Sequence, residues 1–372
     1  MPASHASVSV TRVGRIAVIA VDHPPVNAIN QSVRQGLVDV LRSLADDAAV
    51  GGIVLMGAGK TFMAGSDIRE FDAPIKEPHL NAVIAAVEAS TKPVVAAIHG
   101  TALGGGFELA MGCHHRIAAP TAKIGLPEVN LGLIPGAGGT QRLTRLIGAE
   151  AALEAILSGR HIGAAEALKR GAIDEVADGD LRTAAVAAAE RLADAKTWRR
   201  TRDRAVAQPP PADYFAAQRA TVGKRFRGYP APTGAVDAVE AAVTLPFADG
   251  LAREGEISQR LKATVESRAL RHLFFGEREV ARIPGIGKDT ALRTVERVGI
   301  VGAGTMGRGI AISFLNGGFA VVLVDTSQAA LDRALAAVAQ TYDRDVEKGR
   351  LNADARAERL ARLTGVISMN DL

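Results

Sequence analysis

The chain has 372 residues, 48% of them hydrophobic, and a formal net charge of +4. That length suits about two domains, and that apolar share supports a full core and excludes general disorder. The mild positive charge suits a phosphate-bearing ligand without calling for nucleic acid, and the single cysteine excludes an internal disulfide.

From the N-terminus, Met1–Thr11 lacks an apolar core of signal length. Ile16–Val21 is an apolar run between Gly14 and His23-Pro24-Pro25, which predicts a strand. Ser32–Leu44 places Val33, Leu37, Val40, Leu41 and Leu44 at helical spacing. Gly52–Met56 and Pro93–Ile98 read as further strands, and Arg116–Ala118 and Ala122–Ile124 as short ones around Pro120. Helices are predicted over 141–146, 149–157 and 164–170, the last stopping at Gly171. This alternation implies an α/β core of layered sheets and helices.

The composition changes near residue 181. Leu181–Lys196 is Ala-rich and helical, followed by the basic run Arg199, Arg200, Arg202 and Arg204 and then Pro209-Pro210-Pro211, a linker or tight turn. The basic run suits a solvated helix end better than a ligand site. Tyr214–Lys224 and Gly234–Val243 read as helices, and 250–276 as one long amphipathic pattern. Ile283–Gly287 is a second hinge, and a new unit opens near Val295. No apolar stretch is long enough to span a bilayer, and Asn370-Asp371-Leu372 is no peroxisomal address, so a cytoplasmic, reducing compartment is expected.

Chemistry concentrates in two places. Gly104-Gly105-Gly106 runs into Phe107-Glu108, and Glu128 follows twenty residues later in Gly-Leu-Pro-Glu. Glycines opening a helix leave bare N–H groups that suit a developing negative charge. Two glutamates returned to one pocket suit proton transfer beside a carbonyl. Taken singly, Glu108 could merely complement a helix dipole and Glu128 could lie on the surface. Cys113, in an apolar run, reads as a buried and inert thiol; His99, His114 and His115 lack metal-ligand spacing, so no metal is expected; Asp67 reads as a helix cap.

The second place is C-terminal. Val298–Val301 leads into Gly302-Ala303-Gly304-Thr305-Met306-Gly307, and the next apolar run, 319–324, ends in Asp325. A strand, a glycine-rich turn, a helix and an acid at the tip of the next strand form a dinucleotide-binding fingerprint, with Asp325 favouring NAD through a ribose hydroxyl. After Asp325 the pattern offers helix over 328–348 and the stretch 351–363, with no further parallel strand expected, so the unit reads as the opening of a cofactor domain.

Several motifs occur in order: Pro24-Pro-Val-Asn-Ala28, Met63-Ala-Gly-Ser-Asp-Ile68, 102–110, Gly125-Leu-Pro-Glu128, 134–141, 268–275 and 302–309. On these residues the chain resembles, over essentially its whole length, the multifunctional enzymes of fatty-acid β-oxidation of the peroxisomal bifunctional type. In that family an enoyl-CoA hydratase/isomerase (crotonase) domain precedes an NAD-dependent 3-hydroxyacyl-CoA dehydrogenase. The resemblance implies an α/β crotonase fold over 1–181, a helical extension and linker over 182–294, and an incomplete Rossmann-type NAD-binding domain over 295–372. It implies hydration of trans-2-enoyl-CoA to 3-hydroxyacyl-CoA with secondary Δ3–Δ2 isomerase capacity, and little hydride transfer from this chain alone.

Carried over residue by residue, the backbone N–H groups of Ser66 and Gly105 form the oxyanion hole, although the family often has Ala at the position of Ser66. Glu108 is the base toward water and Glu128 the acid toward C2. Gly136 helps to place the water, and Phe62, Met63 and Ala64 lie near the adenine end of CoA. Gly302, Gly304, Met306, Gly307 and Asp325 are the cofactor-binding positions. The implied partners are an acyl-CoA substrate and a thiolase or a second copy of the chain, with no nucleic acid and no membrane insertion. The family is commonly monomeric, with the linker helix (about 250–276) covering its own active site. The alternative is a non-catalytic acyl-CoA-binding crotonase homologue.

Overall fold

The computed structural model describes residues 7–74, 76–280, 283–287, 290–291 and 293–371. Residues 1–6 and Leu372, on which the readings of a leader and of a C-terminal address partly rest, lie outside them. The chain divides into two compact units, Met1–Arg282 and Ile283–Leu372. The helices that follow residue 181 as far as Val280 therefore belong to the first unit.

In the first unit β1 (Val8–Val13) and β2 (Ile16–Val21) form a hairpin, α1 (Gln31–Ala45) follows, and β3 (Gly52–Gly57) pairs parallel to β2. Next come α2 (Leu80–Glu88), β4 (Val94–Ile98), β5 (Thr101–Leu103), α3 (Gly105–Gly112), β6 (His115–Ala118) and β7 (Lys123–Gly125). Then follow α4 (Gly139–Ile147), α5 (Ala149–Ser158), β8 (Ile162–Gly163), α6 (Ala164–Arg170), β9 (Glu175–Val176) and α7 (Leu181–Ala195). The main sheet has six strands in the order β1-β2-β3-β4-β6-β9, and a smaller sheet runs β5-β7-β8.

The strand period of two divides the apolar runs between two cores. Ile16 and Val18 of β2 pack with Val54, Val95 and the small Ala185, Ala188 and Ala189 of α7. Ala17, Ile19 and Val21 face the larger core, with α1, α2 and α3. Both faces of the sheet are covered, which is why its central strands read as unbroken apolar runs. At the start of α1 the Asn30 side chain accepts from Val33 N, and Leu37, Val40, Leu41 and Leu44 are buried at helical spacing.

Four further helices complete the unit: α8 (Tyr214–Arg225), α9 (Pro230–Thr244), α10 (Phe247–Lys262) and α11 (Val265–Val280). The amphipathic pattern at 250–276 was expected to form one helix, and the chain breaks it at Ala263-Thr264. The Thr264 hydroxyl donates to Leu261 O at 2.6 Å and accepts from Ser267 N at 3.2 Å, closing one helix and capping the next. Ser267 Oγ then donates to Leu131 O at 3.0 Å, tying α11 to the turn that carries Glu128. The basic run lies beyond α7 in a short 3₁₀ turn rather than at a solvated helix end: Arg200 pairs with Asp203 at 2.5 Å, and Arg202 stacks 4.9 Å from the Phe247 ring.

The second unit contains β10 (Arg297–Val301), α12 (Thr305–Asn316), β11 (Ala320–Val324), α13 (Gln328–Glu347), α14 (Ala353–Ala361) and β12 (Leu363–Val366). All three strands are parallel, in the order β10-β11-β12. The expectation of no further strand after Asp325 is therefore corrected: Leu363 pairs with Val321 and Val366 with Val324. The strand escaped notice because Leu-Thr-Gly-Val is short and holds a glycine, which weakens a strand signal. A βαβαβ half of a dinucleotide-binding fold is thus present. Among the described residues no helix is long and apolar enough to cross a membrane.

Candidate active site

A cavity of about 620 Å³ in the first unit brings Ser66, Gly105, Glu108, Glu128 and Gly136 to one wall. Gly104 makes the turn from β5 into α3, at φ +48°. A Cβ there would lie 2.8 Å from Glu128 Oε1, so both the left-handed turn and the second glutamate require glycine. Gly105 and Gly106 pack against Ser66 and Met63, leaving no room for side chains. The backbone N–H groups of Ser66 and Gly105 have no backbone acceptor among the described residues and border the cavity. Two such donors on one cavity can stabilise a negative charge that develops there.

Glu108 sits in the first turn of α3 and is buried. Its Oε1 accepts from Ala137 N at 2.7 Å and Gly139 N at 2.8 Å. Burial first, then the charges of Glu128 and Glu254, hold it well above the ordinary carboxylate range, against the pull of those two N–H groups. Glu128, in a 3₁₀ turn after β7, is half-buried as a residue, yet its Oε2 is buried and has no hydrogen-bond partner. Burial raises it to about 8, opposed by a hydrogen bond from its own backbone N–H and helped by the Glu254 charge. Two like charges in one buried pocket favour retention of a proton by the pair. The two N–H groups that Glu108 accepts favour its charged form, and Glu128 Oε2 has no such donor.

On the reading that Glu128 is the acid, turnover is expected to fall as pH rises through about 8, measured as the basic limb of kcat against pH.

Of the substrate-loop positions, Phe62 and Met63 put their side chains into the core, and Ala64 reaches the cavity wall. Gly136 presents backbone; its carbonyl accepts from Asn81 Nδ2 at 3.3 Å, and a Cβ there would meet Ser258 Oγ at 2.6 Å. The helices α10 and α11 line the same cavity through Ser258, Lys262, Phe274 and Arg278. Lys262 Nζ stands 5.4 Å from the Phe71 ring, and the Arg278 guanidinium 3.7 Å from the Phe274 ring.

Glu254 of α10 is a site residue that sequence reasoning missed. It is fully buried and accepts from Gly138 N at 2.6 Å and Thr140 N at 2.9 Å. Burial raises it, while the donors on Thr140 and Gly138 and the Arg142 charge oppose that rise. An acid in an amphipathic helix with exposed neighbours carries no local signal of such burial.

The remaining side chains are structural. Cys113 is buried, and burial pushes its thiol up to about 12. His114 is buried, accepts from Val94 N at 2.9 Å, and is pushed down by burial. His115 meets Glu175 at 3.3 Å, a carboxylate the sequence alone did not point out. Asp67 caps a 3₁₀ turn and pairs with Arg69 at 2.7 Å. Among the described residues no group of three or more His, Cys, Asp or Glu is placed to hold a metal.

In the second unit Gly304 caps α12, and Gly302 lies at φ +98°. A Cβ on Gly307 would meet Gly302 O at 1.9 Å, so glycine lets helix and loop close together. Asp325, at the end of β11, accepts from Ala303 N at 2.9 Å and Ser327 N at 3.1 Å, which holds its carboxyl low. The loop and the acid therefore meet. Met306 is 78% exposed at the first turn of α12. These groups fit the adenosine and pyrophosphate of a dinucleotide.

Two carboxylates and two backbone N–H groups on one cavity, in a layered fold followed by a βαβαβ unit, are the equipment of an enzyme. Residues 11–212 match the family model "Enoyl-CoA hydratase/isomerase", and 297–372 match "3-hydroxyacyl-CoA dehydrogenase, NAD binding domain". The chain belongs to the enoyl-CoA hydratase/isomerase family, followed by the NAD-binding unit. It is 40% identical over 344 residues to a peroxisomal bifunctional enzyme of Danio rerio, covering 91% of this chain and 48% of that protein. It is 34% identical over 371 residues to a peroxisomal fatty acid beta-oxidation multifunctional protein of Oryza sativa subsp. japonica, covering 96% and 51%. The chain thus spans about half the length of these relatives. A similar solved structure, EchA1_1 from Mycobacterium paratuberculosis, has a TM-score of 0.53 at 29% identity and covers 71% of this chain and 94% of that one.

Proposed function

We propose that the chain hydrates trans-2-enoyl-CoA to 3-hydroxyacyl-CoA in fatty-acid β-oxidation. The observation that carries this reading is the shared cavity of Glu108, Glu128 and the Ser66 and Gly105 N–H groups. Water is held between the carboxylates. Glu108 takes a proton from it as the hydroxyl adds to C3, and the C2–C3 π pair moves toward the thioester oxygen. The two N–H groups stabilise the enolate. The enolate then collapses at C2 on the proton of Glu128. A glutamate that moves a proton between C2 and C4 gives the Δ3–Δ2 isomerase capacity.

Lys262 and Arg278 support an acyl-CoA ligand, because cations at the cavity suit its phosphates. The helices α10 and α11 act as a cover that the chain supplies to its own site. The reading is tested by following crotonyl-CoA through the loss of its enoyl thioester absorbance. An acyl-CoA-binding protein without catalysis would bind the thioester and leave that absorbance intact.

NAD bound to the second unit would supply a hydride acceptor, with Gly302, Gly304 and Gly307 against its pyrophosphate and Asp325 on its ribose. Dehydrogenation of 3-hydroxyacyl-CoA is proposed for the longer architecture of the relatives. Gly307→Ala is expected to weaken NAD binding tenfold or more in a calorimetric titration, with crotonyl-CoA hydration unchanged. A thiolase or a second copy of the chain are the partners proposed. A cytoplasmic location is proposed from the sequence, and the organelle names of the relatives make a peroxisome the alternative, separable by imaging a tagged chain.

A further inference from the structure

The turn into α4 offers four consecutive N–H groups, which go alternately to two carboxylates. Ala137 and Gly139 donate to Glu108 Oε1, Gly138 to Glu254 Oε1, and Thr140 to Glu254 Oε2. The Thr140 hydroxyl adds a third donor to Glu254, at 2.5 Å to Oε2. It also accepts from Gln141 Nε2 at 2.9 Å, so its own proton points at the carboxylate. Both oxygens of Glu254 therefore face donors only. A glutamine would turn an NH₂ group toward one of them, so the arrangement calls for a carboxylate.

Burying a charge costs several kcal/mol unless it is satisfied. Here it is satisfied by the turn that also holds the base. Each peptide unit is planar and is joined to the next at a single Cα, so a shift of the Gly138 and Thr140 amides disturbs those of Ala137 and Gly139. Loss of Glu254 would leave buried N–H groups without acceptors and release the amides that aim Glu108.

We propose that Glu254 is a positioning residue for the hydration step, fixing the turn whose alternate amides orient Glu108 and setting a like charge beside the Glu108–Glu128 pair. The proposal rests on the hydratase reading above. It extends the catalytic apparatus to α10, which lies beyond the segment 11–212 matched by the hydratase model.

The charged groups around Glu254 are few. Glu108 and Glu128 face it from the catalytic pair. Arg142 of α4 acts on it, but that guanidinium is gripped by the buried Glu88 at 3.1 and 2.6 Å. On α9, packed against α10, Asp237 and Glu240 are both taken by Arg219. On α10 itself Arg253 and Glu256 pair with each other at 2.9 Å. The Glu254 charge acts on both members of the catalytic pair in the raising direction. A like charge raises the pH at which the pair gives up its proton, and removing it lowers that pH.

The test uses the full chain, with kcat and KM for crotonyl-CoA measured against pH. Glu254→Gln is expected to lower kcat at least tenfold with KM within twofold, and to move the basic limb of kcat by about half a unit or more toward acid. Glu254→Asp keeps the charge and shortens the reach, so kcat should fall while the limb stays. Glu256→Gln, exposed on the same helix, should behave as wild type. A folded Glu254→Gln protein with wild-type kcat, or with reduced kcat and an unmoved limb, overturns the proposal. Should Glu254→Gln not fold, Glu254→Asp decides: a tenfold loss in kcat at constant KM supports the assignment, and an undiminished kcat overturns it. A wild-type chain that leaves crotonyl-CoA unchanged defeats the hydratase reading and this proposal together. An active wild type, a dead Glu108→Gln and an unaffected Glu254→Gln defeat this proposal alone.

Discussion

Glu108→Gln and Glu128→Gln are each expected to lower the hydration of crotonyl-CoA by about 10²–10⁴-fold in kcat, with the affinity for CoA thioesters preserved. The two losses have different origins. In Glu108→Gln the amide oxygen can still accept from Ala137 and Gly139 N–H, so the turn survives, but no base remains for water. In Glu128→Gln the shape is kept and the proton for C2 is gone. Because the pair acts as a unit, the double variant should be little worse than the poorer single one. Stopped-flow or steady-state hydration assays give these numbers directly. Turnover near wild type in both variants would remove the two-carboxylate mechanism.

Gly105→Ala is expected to lower kcat/KM by about 10²–10³-fold, the scale of losing an oxyanion donor. A Cβ there would lie 2.5 Å from Ser66 Oγ, 2.8 Å from Leu80 Cδ2 and 3.2 Å from Ser66 N. The first contact could be relieved by turning the serine; the third presses on the other donor itself. Ser66→Ala is the matched comparison. It keeps the backbone N–H and removes the hydroxyl, so it should stay within about twofold of wild type. Equal, mild effects for the two substitutions would place the oxyanion hole elsewhere.

The readings that held rested on local signals. Five apolar residues at helical spacing marked α1, and the Asn30 cap defines its start. A glycine triplet ahead of Glu108 marked the turn into α3, and GxGxxG with Asp325 marked a glycine-rich loop that meets that acid. Where reading failed, the deciding contact was remote in sequence or the signal was short. The single long helix at 250–276 became α10 and α11 because one threonine hydroxyl satisfies both ends. The strand β12 holds four residues and a glycine, and only its parallel ladder with β11 identifies it.

Residue type and spacing carried the resemblance to the family and singled out the two carboxylates and the glycine-rich turns, because glycine there answers a need of the backbone and glutamate one of proton transfer. Tertiary structure decided which carboxylates share one pocket and brought in Glu254, 114 residues from Thr140. Both depend on which charges share a buried volume. Dielectric screening and distance set that energy, and neither is written in the order of residues along the chain.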